Sequence, residues 1–212
     1  MNRIVWPALH RDLIAILRGL TPEEAPRIVG ALLEAGFEAI EVPLNSPDPF
    51  RSIEAARRLA PENVLIGAGT VLTVADVERL HAAGGNLMVS PNVEPAVIAR
   101  AAELGMTTMP GVFTATEALS AVAASASALK FFPASILGPA GIKAIMAVLP
   151  DDVPVGAVGG VTEDDFAGYA RVGVRTFGLG SSLYRPGASA ADVGAKARAT
   201  VAAYDTVYNE TA

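Results

Sequence analysis

The sequence predicts an α/β chain folded as a (β/α)8 barrel of the TIM type, and three observations carry that prediction. Eight short runs rich in Val, Ile, Leu and Phe alternate with Ala-rich stretches of helical periodicity, and Gly, Pro, Ser and Thr sit at the joints. The runs are apolar at consecutive positions, as parallel strands covered on both faces require. The length, 212 residues, lies near the lower end for this architecture, so loops must be short and insertions few. A doubly wound open sheet shares the alternation but has fewer strands, and its best sequence support is missing. Neither G-x-G-x-x-G nor G-x-x-x-x-G-K-[ST] occurs, although Gly67-Ala68-Gly69 and Gly178-Leu179-Gly180 begin like the former.

One domain over 1–212 is expected, with an N-terminal segment 1–12 ahead of the first strand. The strand candidates are 13–17, 39–44, 64–68, 87–90, 107–109, 129–132, 155–158 and 174–179. Helices are expected at 22–35, 47–59, 74–83, 94–104, 116–124, 141–149 and 163–171, with a long C-terminal helix at about 190–208. Thr21-Pro22-Glu23-Glu24 and Thr162-Glu163-Asp164-Asp165 place a capping oxygen before acidic first-turn residues. Gly36, Gly84, Gly105 and Gly173 follow helical patterns where a left-handed terminal residue is wanted.

Composition removes several function classes. With 51% apolar and only 18% charged residues the chain has ample surface to bury, which excludes disorder. Gly, Pro or a charge interrupts every apolar run before the ~20 residues a membrane span needs, and the first residues lack the apolar core of a signal peptide. A net charge of −6 argues against nucleic acid as a partner. The absence of Cys removes disulfides, thiol nucleophiles and thiolate metal sites, and no His/Asp/Glu cluster has metal-ligand spacing. A cytoplasmic globular protein without a metal is expected.

In a parallel barrel, functional groups cluster at the C-terminal ends of the strands, so the informative residues are polar ones embedded in apolar runs. Lys130 lies in Ala128-Leu129-Lys130-Phe131-Phe132-Pro133, and the chain's other lysines, Lys143 and Lys196, fall in helical segments. Period two sets Ala128, Lys130 and Phe132 on one face and the bulky Leu129 and Phe131 on the other, which turns Lys130 into the barrel mouth. Burial penalises the ammonium form, and a neutral amine is a nucleophile for a carbonyl. The alternative is a lysine that snorkels to solvent or pairs with a carboxylate. Glu41, in Ala39-Ile40-Glu41-Val42-Pro43-Leu44, reads either as a general acid/base or as half of an ion pair with Lys130 or Arg18. Arg18, at the end of the first strand, suits a substrate carboxylate or a salt bridge at the rim. Gly156-Ala157-Val158-Gly159-Gly160-Val161 and Gly178-Leu179-Gly180-Ser181-Ser182 end the seventh and eighth strands, the usual place for a phosphate. Glycine there also simply relieves tight turns. Ser90-Pro91-Asn92 and Met109-Pro110-Gly111 close the fourth and fifth strands, and Trp6 reads as packing.

Six segments in this order resemble a known family: Ile16-Leu17-Arg18-Gly19, Glu41-Val42-Pro43-Leu44-Asn45-Ser46-Pro47, Gly67-Ala68-Gly69-Thr70-Val71-Leu72, Lys130-Phe131-Phe132-Pro133-Ala134, Val158-Gly159-Gly160-Val161 and Gly178-Leu179-Gly180-Ser181. Together they are similar to the class I aldolases of 2-keto-3-deoxy-6-phosphosugar acids, over most of the chain. The resemblance implies that Lys130 forms the Schiff base, Glu41 is the general acid/base, and Thr70 and Arg18 hold the pyruvyl carboxylate. It implies that Phe132 lines the pocket, that Gly159, Gly160, Gly180 and Ser181 cradle phosphate, and that no cofactor is needed. Asn45 stands where gluconate-type members carry arginine, and Val158 where they tend to have Thr. Both departures imply the galactonate-type branch, with some activity on both epimers left open. The family is commonly trimeric, so a homotrimer acting on a phosphorylated keto-deoxy sugar acid is expected. A phosphate-binding barrel isomerase or synthase, or a phosphosugar-binding module without turnover, are the competing readings.

Overall fold

A computed structural model describes residues 3–208. Nine parallel strands form one sheet: β1 (Leu13–Ile16), β2 (Ala39–Pro43), β3 (Leu65–Gly69), β4 (Leu87–Val89), β5 (Thr107–Met109), β6 (Gly111–Val112), β7 (Leu129–Phe131), β8 (Val155–Val158) and β9 (Thr176–Leu179). The ladder runs β5-β4-β3-β2-β1-β9-β8-β7-β6. Its two ends, β5 and β6, are halves of one strand separated by Pro110, so the sheet closes on itself. The closing seam is complete: the N–H groups of Ala128, Lys130 and Phe132 donate to the carbonyls of Thr108, Pro110 and Val112 at 3.0, 2.9 and 3.1 Å. Met109-Pro110-Gly111 was expected to end the fifth strand. Instead Pro110, which lacks an N–H, interrupts the ladder on one side while its carbonyl continues it on the other. The eight expected strand positions are otherwise all occupied, and the barrel stands in place of an open sheet.

Helices α1 (Ala25–Glu34), α2 (Pro49–Leu59), α3 (Val74–Ala82), α4 (Pro95–Glu103), α5 (Ala115–Ala123), α6 (Ala134–Met146), α7 (Phe166–Ala170) and α8 (Ala190–Tyr208) cover the outside. Three boundaries differ from expectation. The Thr21–Glu24 box forms, with Thr21 N–H donating to the Glu24 carboxylate at 3.1 Å, but it closes a separate turn and α1 starts after it. An additional helical piece at 134–137 precedes the helix expected at 141–149, and Gly138, in a non-helical conformation (φ 63°, ψ 171°) ahead of Pro139, divides α6 into the two. The segment 163–171 opens as a 3-10 turn, Glu163–Asp165, before α7. The four helix-terminal glycines all take positive φ, from 77° to 95°.

Strand alternation sorts the core into two layers. Leu13, Ile40, Ile66, Leu129, Phe131 and Phe177 face the helices, whereas Ile14, Ala39, Leu65, Leu87, Val89, Met109 and Ala128 fill the barrel interior. Trp6 joins the inner layer and donates Nε1–H to Asp12 at 3.0 Å, plugging the barrel at the N-terminal ends of its strands. A smaller cavity of about 280 Å³ lies beside this plug, lined by Trp6, Asp12 and Arg175, and the larger one opens at the opposite end. Beneath the barrel, α8 is fastened by Tyr204 against Phe166 (6.0 Å) and Phe177 (6.4 Å), by Tyr208 against Phe177 (6.2 Å), and by Arg11, which grips Asp205 with two 2.7 Å bonds. Phe177 touches four rings, those of Phe166, Tyr169, Tyr204 and Tyr208. Phe177→Ala should therefore cost about 3–5 kcal/mol by urea unfolding, whereas Val148→Ala, at a position 58% exposed, should change stability by less than about 0.5 kcal/mol.

Candidate active site

The open end of the barrel holds a cavity of about 560 Å³. Every residue that the family resemblance assigns to the site lines it: Arg18, Glu41, Asn45, Thr70, Lys130, Phe132, Val158, Gly159, Gly160, Gly180 and Ser181. The strands explain how. Period two on β2 sends Ile40 and Val42 outward and Glu41 inward; on β7 it sends Leu129 and Phe131 outward and Lys130 inward. Lys130 is 7% exposed and Glu41 1%, so both heads meet the cavity from the barrel wall and neither snorkels to bulk water. The Lys130 ammonium lies 5.1 Å from the centre of the Phe132 ring, which its own strand presents on the same face.

The ion-pair reading of Glu41 does not hold. Among the described residues neither Lys130 nor Arg18 makes a salt bridge to it, and Glu41 Oε2 is buried with no hydrogen-bond partner. Burial dominates its ionisation and pushes its pKa up to about 7, against the opposing pull of Lys130, Arg18 and the Gly69 N–H. The Lys130 ammonium is pushed below its ordinary range first by burial, which Glu41 partly counters and Arg18 reinforces. Gly69, the last residue of β3, makes this possible. A Cβ on it would overlap the Glu41 carboxyl group, so glycine is what leaves the acid room. The next residue, Thr70, sits at φ 59°, a costly conformation for a β-branched side chain, and this carries it to the cavity wall.

Arg18 and Asn45 meet at the ends of β1 and β2, the guanidinium donating to Asn45 Oδ1 at 2.5 Å. The bond fixes the arginine head with a neutral acceptor and leaves its charge uncompensated. Across the mouth, the loops after β8 and β9 bring Gly159 (φ 93°), Gly160 (φ 71°), Gly180 and Ser181 together. The backbone N–H groups of Gly160, Ser181 and Ser182 donate to no other group among the described residues, which makes them free donors for an anion. No group of three or more His, Asp or Glu side chains among the described residues is placed to hold a metal ion.

Sequence reasoning missed Tyr184, Arg185 and Pro186, all at the cavity wall on the turn after β9. Tyr184 is 3% exposed, its hydroxyl has no partner among the described residues, and burial lifts its pKa to about 12. Pro91 also lines the cavity, which turn chemistry alone did not decide.

The sequence profile described as "Aldolase: KDPG and KHG aldolase" matches residues 9–195, a span that contains all nine strands and the whole cavity wall. The chain belongs to the KDPG and KHG aldolase family. Within it, the chain is 69% identical over 208 residues to a protein of Rhizobium meliloti (strain 1021) named probable 2-dehydro-3-deoxy-6-phosphogalactonate aldolase, covering 98% of each. A solved structure described as native KDPGal superposes with a TM-score of 0.93 at 48% identity, over 97% of this chain and 99% of that one. The KDPG aldolase of Legionella pneumophila, solved with pyruvate captured as a covalent carbinolamine, superposes at 0.76 with 25% identity, over 93% and 94% of the two chains.

Burial of Glu41 has a consequence for stability. The fold holds the proton more tightly than the unfolded chain does, so ionising Glu41 destabilises the fold progressively as pH rises from 4.5 through about 7. Glu41→Gln removes that dependence. Relative to the parent protein, the variant should gain on the order of 3 kcal/mol between pH 4.5 and about pH 8, read from urea midpoints at each pH; a flat difference would show that the carboxyl group is not desolvated.

Proposed function

We propose that the protein is a class I aldolase that cleaves 2-dehydro-3-deoxy-6-phosphogalactonate to pyruvate and glyceraldehyde 3-phosphate. The observation that carries the reading is the placement of Lys130 and Glu41: two dry ionisable groups facing one cavity without neutralising each other in an ion pair. The 69% identity to the Rhizobium meliloti protein and the carbinolamine seen in the Legionella enzyme support it.

The chemistry follows from what each group holds. Neutral Lys130 Nζ adds to the C2 ketone to give a carbinolamine, and loss of water leaves a protonated imine. That cation accepts the electron pair of the C3–C4 bond, which a ketone would do poorly. Glu41 as carboxylate takes the C4 hydroxyl proton, directly or through a water, as the aldehyde forms and departs. The enamine left on Lys130 takes a proton at C3, and water hydrolyses the imine to release pyruvate and the free amine. Arg18 and Thr70 hold the carboxylate, with Asn45 steadying Arg18. Phe132 and Val158 close the pocket around the pyruvyl part, and Gly159, Gly160, Gly180 and Ser181 receive the phosphate. Holding both anionic ends orients the bond to be broken, a gain of about 7–11 kcal/mol in well-aligned cases.

We further infer a homotrimer and a cytoplasmic location. Leu72, Val74, Phe113 and Leu119 are 37–46% exposed and offer apolar surface for a second copy to cover, and among the described residues no helix is long and apolar enough to cross a membrane.

Borohydride added with pyruvate should inactivate the enzyme and leave a reduced adduct that peptide mass spectrometry maps to Lys130; an adduct elsewhere, or none, would remove the Schiff-base mechanism. Glu41→Gln should lower kcat by about 10²–10⁴-fold while adduct formation with pyruvate persists. Assayed side by side, the galactonate epimer should be cleaved with the higher kcat/KM, and faster cleavage of the gluconate epimer would move the chain to the other branch of its family.

A further inference from the structure

The geometry points to Arg185 as a phosphate-binding, specificity-determining residue of this site, a proposal that rests on the aldolase reading above. Arg185 lies on the cavity wall in the turn that follows β9, and its Nε–H donates to the carbonyl oxygen of Ser181 at 3.2 Å. That bond ties the guanidinium to the loop whose free N–H groups face the anion. The fork of the guanidinium stays unpaired: among the described residues Arg185 makes no salt bridge. Arg3, Arg11 and Arg100 pair with Asp152, Asp205 and Glu78, and Arg57 is spent on the carbonyls of Val64 and Ala60. Among the described residues, the two arginines of the cavity, Arg18 and Arg185, are each anchored by a single hydrogen bond to a neutral oxygen. An arginine held by a neutral acceptor keeps its full charge for a ligand.

The turn carrying Arg185 is itself fixed. Pro186 packs against Gly19, where an added Cβ would come within 2.6 Å of the proline ring and where φ is 85°. The loop after β1 and the turn after β9 are thus locked together, which sets Arg185 at the rim. A substrate with a carboxylate and a phosphate presents two anions, and the cavity offers two unpaired guanidiniums. Lys130 sits deep, Arg18 beside Asn45 is committed to the carboxylate end, and Arg185 shares a loop with Ser181 at the phosphate end.

The test separates the two ends of the substrate. Arg185→Gln should raise KM for 2-dehydro-3-deoxy-6-phosphogalactonate about tenfold, the loss falling on KM, and should raise the inhibition constant of inorganic phosphate by a similar factor. Arg185→Lys should recover part of both. The concentration of pyruvate needed for borohydride inactivation should stay at the parent value, since pyruvate has no phosphate. Unchanged KM would overturn the proposal, and so would an equal rise in the pyruvate requirement, because Arg185 would then serve the carboxylate or the fold. If the parent protein itself fails to trap pyruvate, the aldolase reading falls first, an outcome distinct from either.

Discussion

The site depends on the exclusion of water from two groups of opposite charge that are not allowed to touch. Had Lys130 and Glu41 formed a contact pair, each would hold the other in its charged form, and neither the amine nor the acid would be free to react. Kept apart in the same dry pocket, they are governed chiefly by burial, which favours the neutral form of both, while their mutual attraction only tempers the effect. The result is an amine biased toward its nucleophilic form and a carboxyl group that changes state near neutral pH. The unsatisfied Oε2 of Glu41 belongs to the same arrangement: a buried acceptor left open costs stability and is tolerated where a substrate or water must be met.

The barrel provides that dryness through the sizes of its inner residues. Below Lys130 and Glu41, Leu65, Leu87, Met109 and Trp6 fill the interior, and Gly67 and Gly156 let neighbouring strands and the Met109 side chain approach where any Cβ would collide. These side chains separate the reactive pair from the smaller cavity beside Trp6. Above the plug the inner residues turn polar or vanish to glycine, Gly69 being the one whose absent side chain is replaced in space by the Glu41 carboxyl group. A single strand position thus decides between a filled core and a reactive pocket.

Much of this was legible in the sequence because the barrel is a periodic object. The alternation in 128–132 assigns Lys130 to the inside without any tertiary information, since Leu129 and Phe131 can only be satisfied against helices. Glu41 is legible for the same reason. What was not legible is non-local or non-periodic. Pro110 reads as a stop, and only the partner strand shows that its carbonyl remains in the ladder. The short helical piece ahead of Gly138 shows no periodic pattern of its own, and Gly138 separates it from the longer piece that follows. Gly69 stands in the sequence as part of Gly67-Ala68-Gly69, the opening of an incomplete dinucleotide motif, while its reason lies on another strand. Arg185, exposed and next to a proline, looks like any solvated loop arginine until Ser181 and Gly19 place the turn that carries it.

The charge of the molecule sharpens the role of the two cavity arginines. With a net charge of −6 the protein as a whole repels a substrate bearing a carboxylate and a phosphate. At physiological ionic strength exposed charges are largely screened beyond about 8 Å, so what the ligand feels at the mouth is set by the groups lining it. There the uncompensated cations are Arg18 and Arg185, and the buried acid is neutral or only half ionised near pH 7. Low-dielectric walls concentrate that local field in the cleft. Pairing either arginine with a carboxylate, as at Arg11 and Asp205, would have made a sturdier rim and a cavity indifferent to anions. Anchoring them on Asn45 and on the Ser181 carbonyl keeps both rigidity and charge, which is what recognition of a doubly anionic substrate by an acidic protein requires.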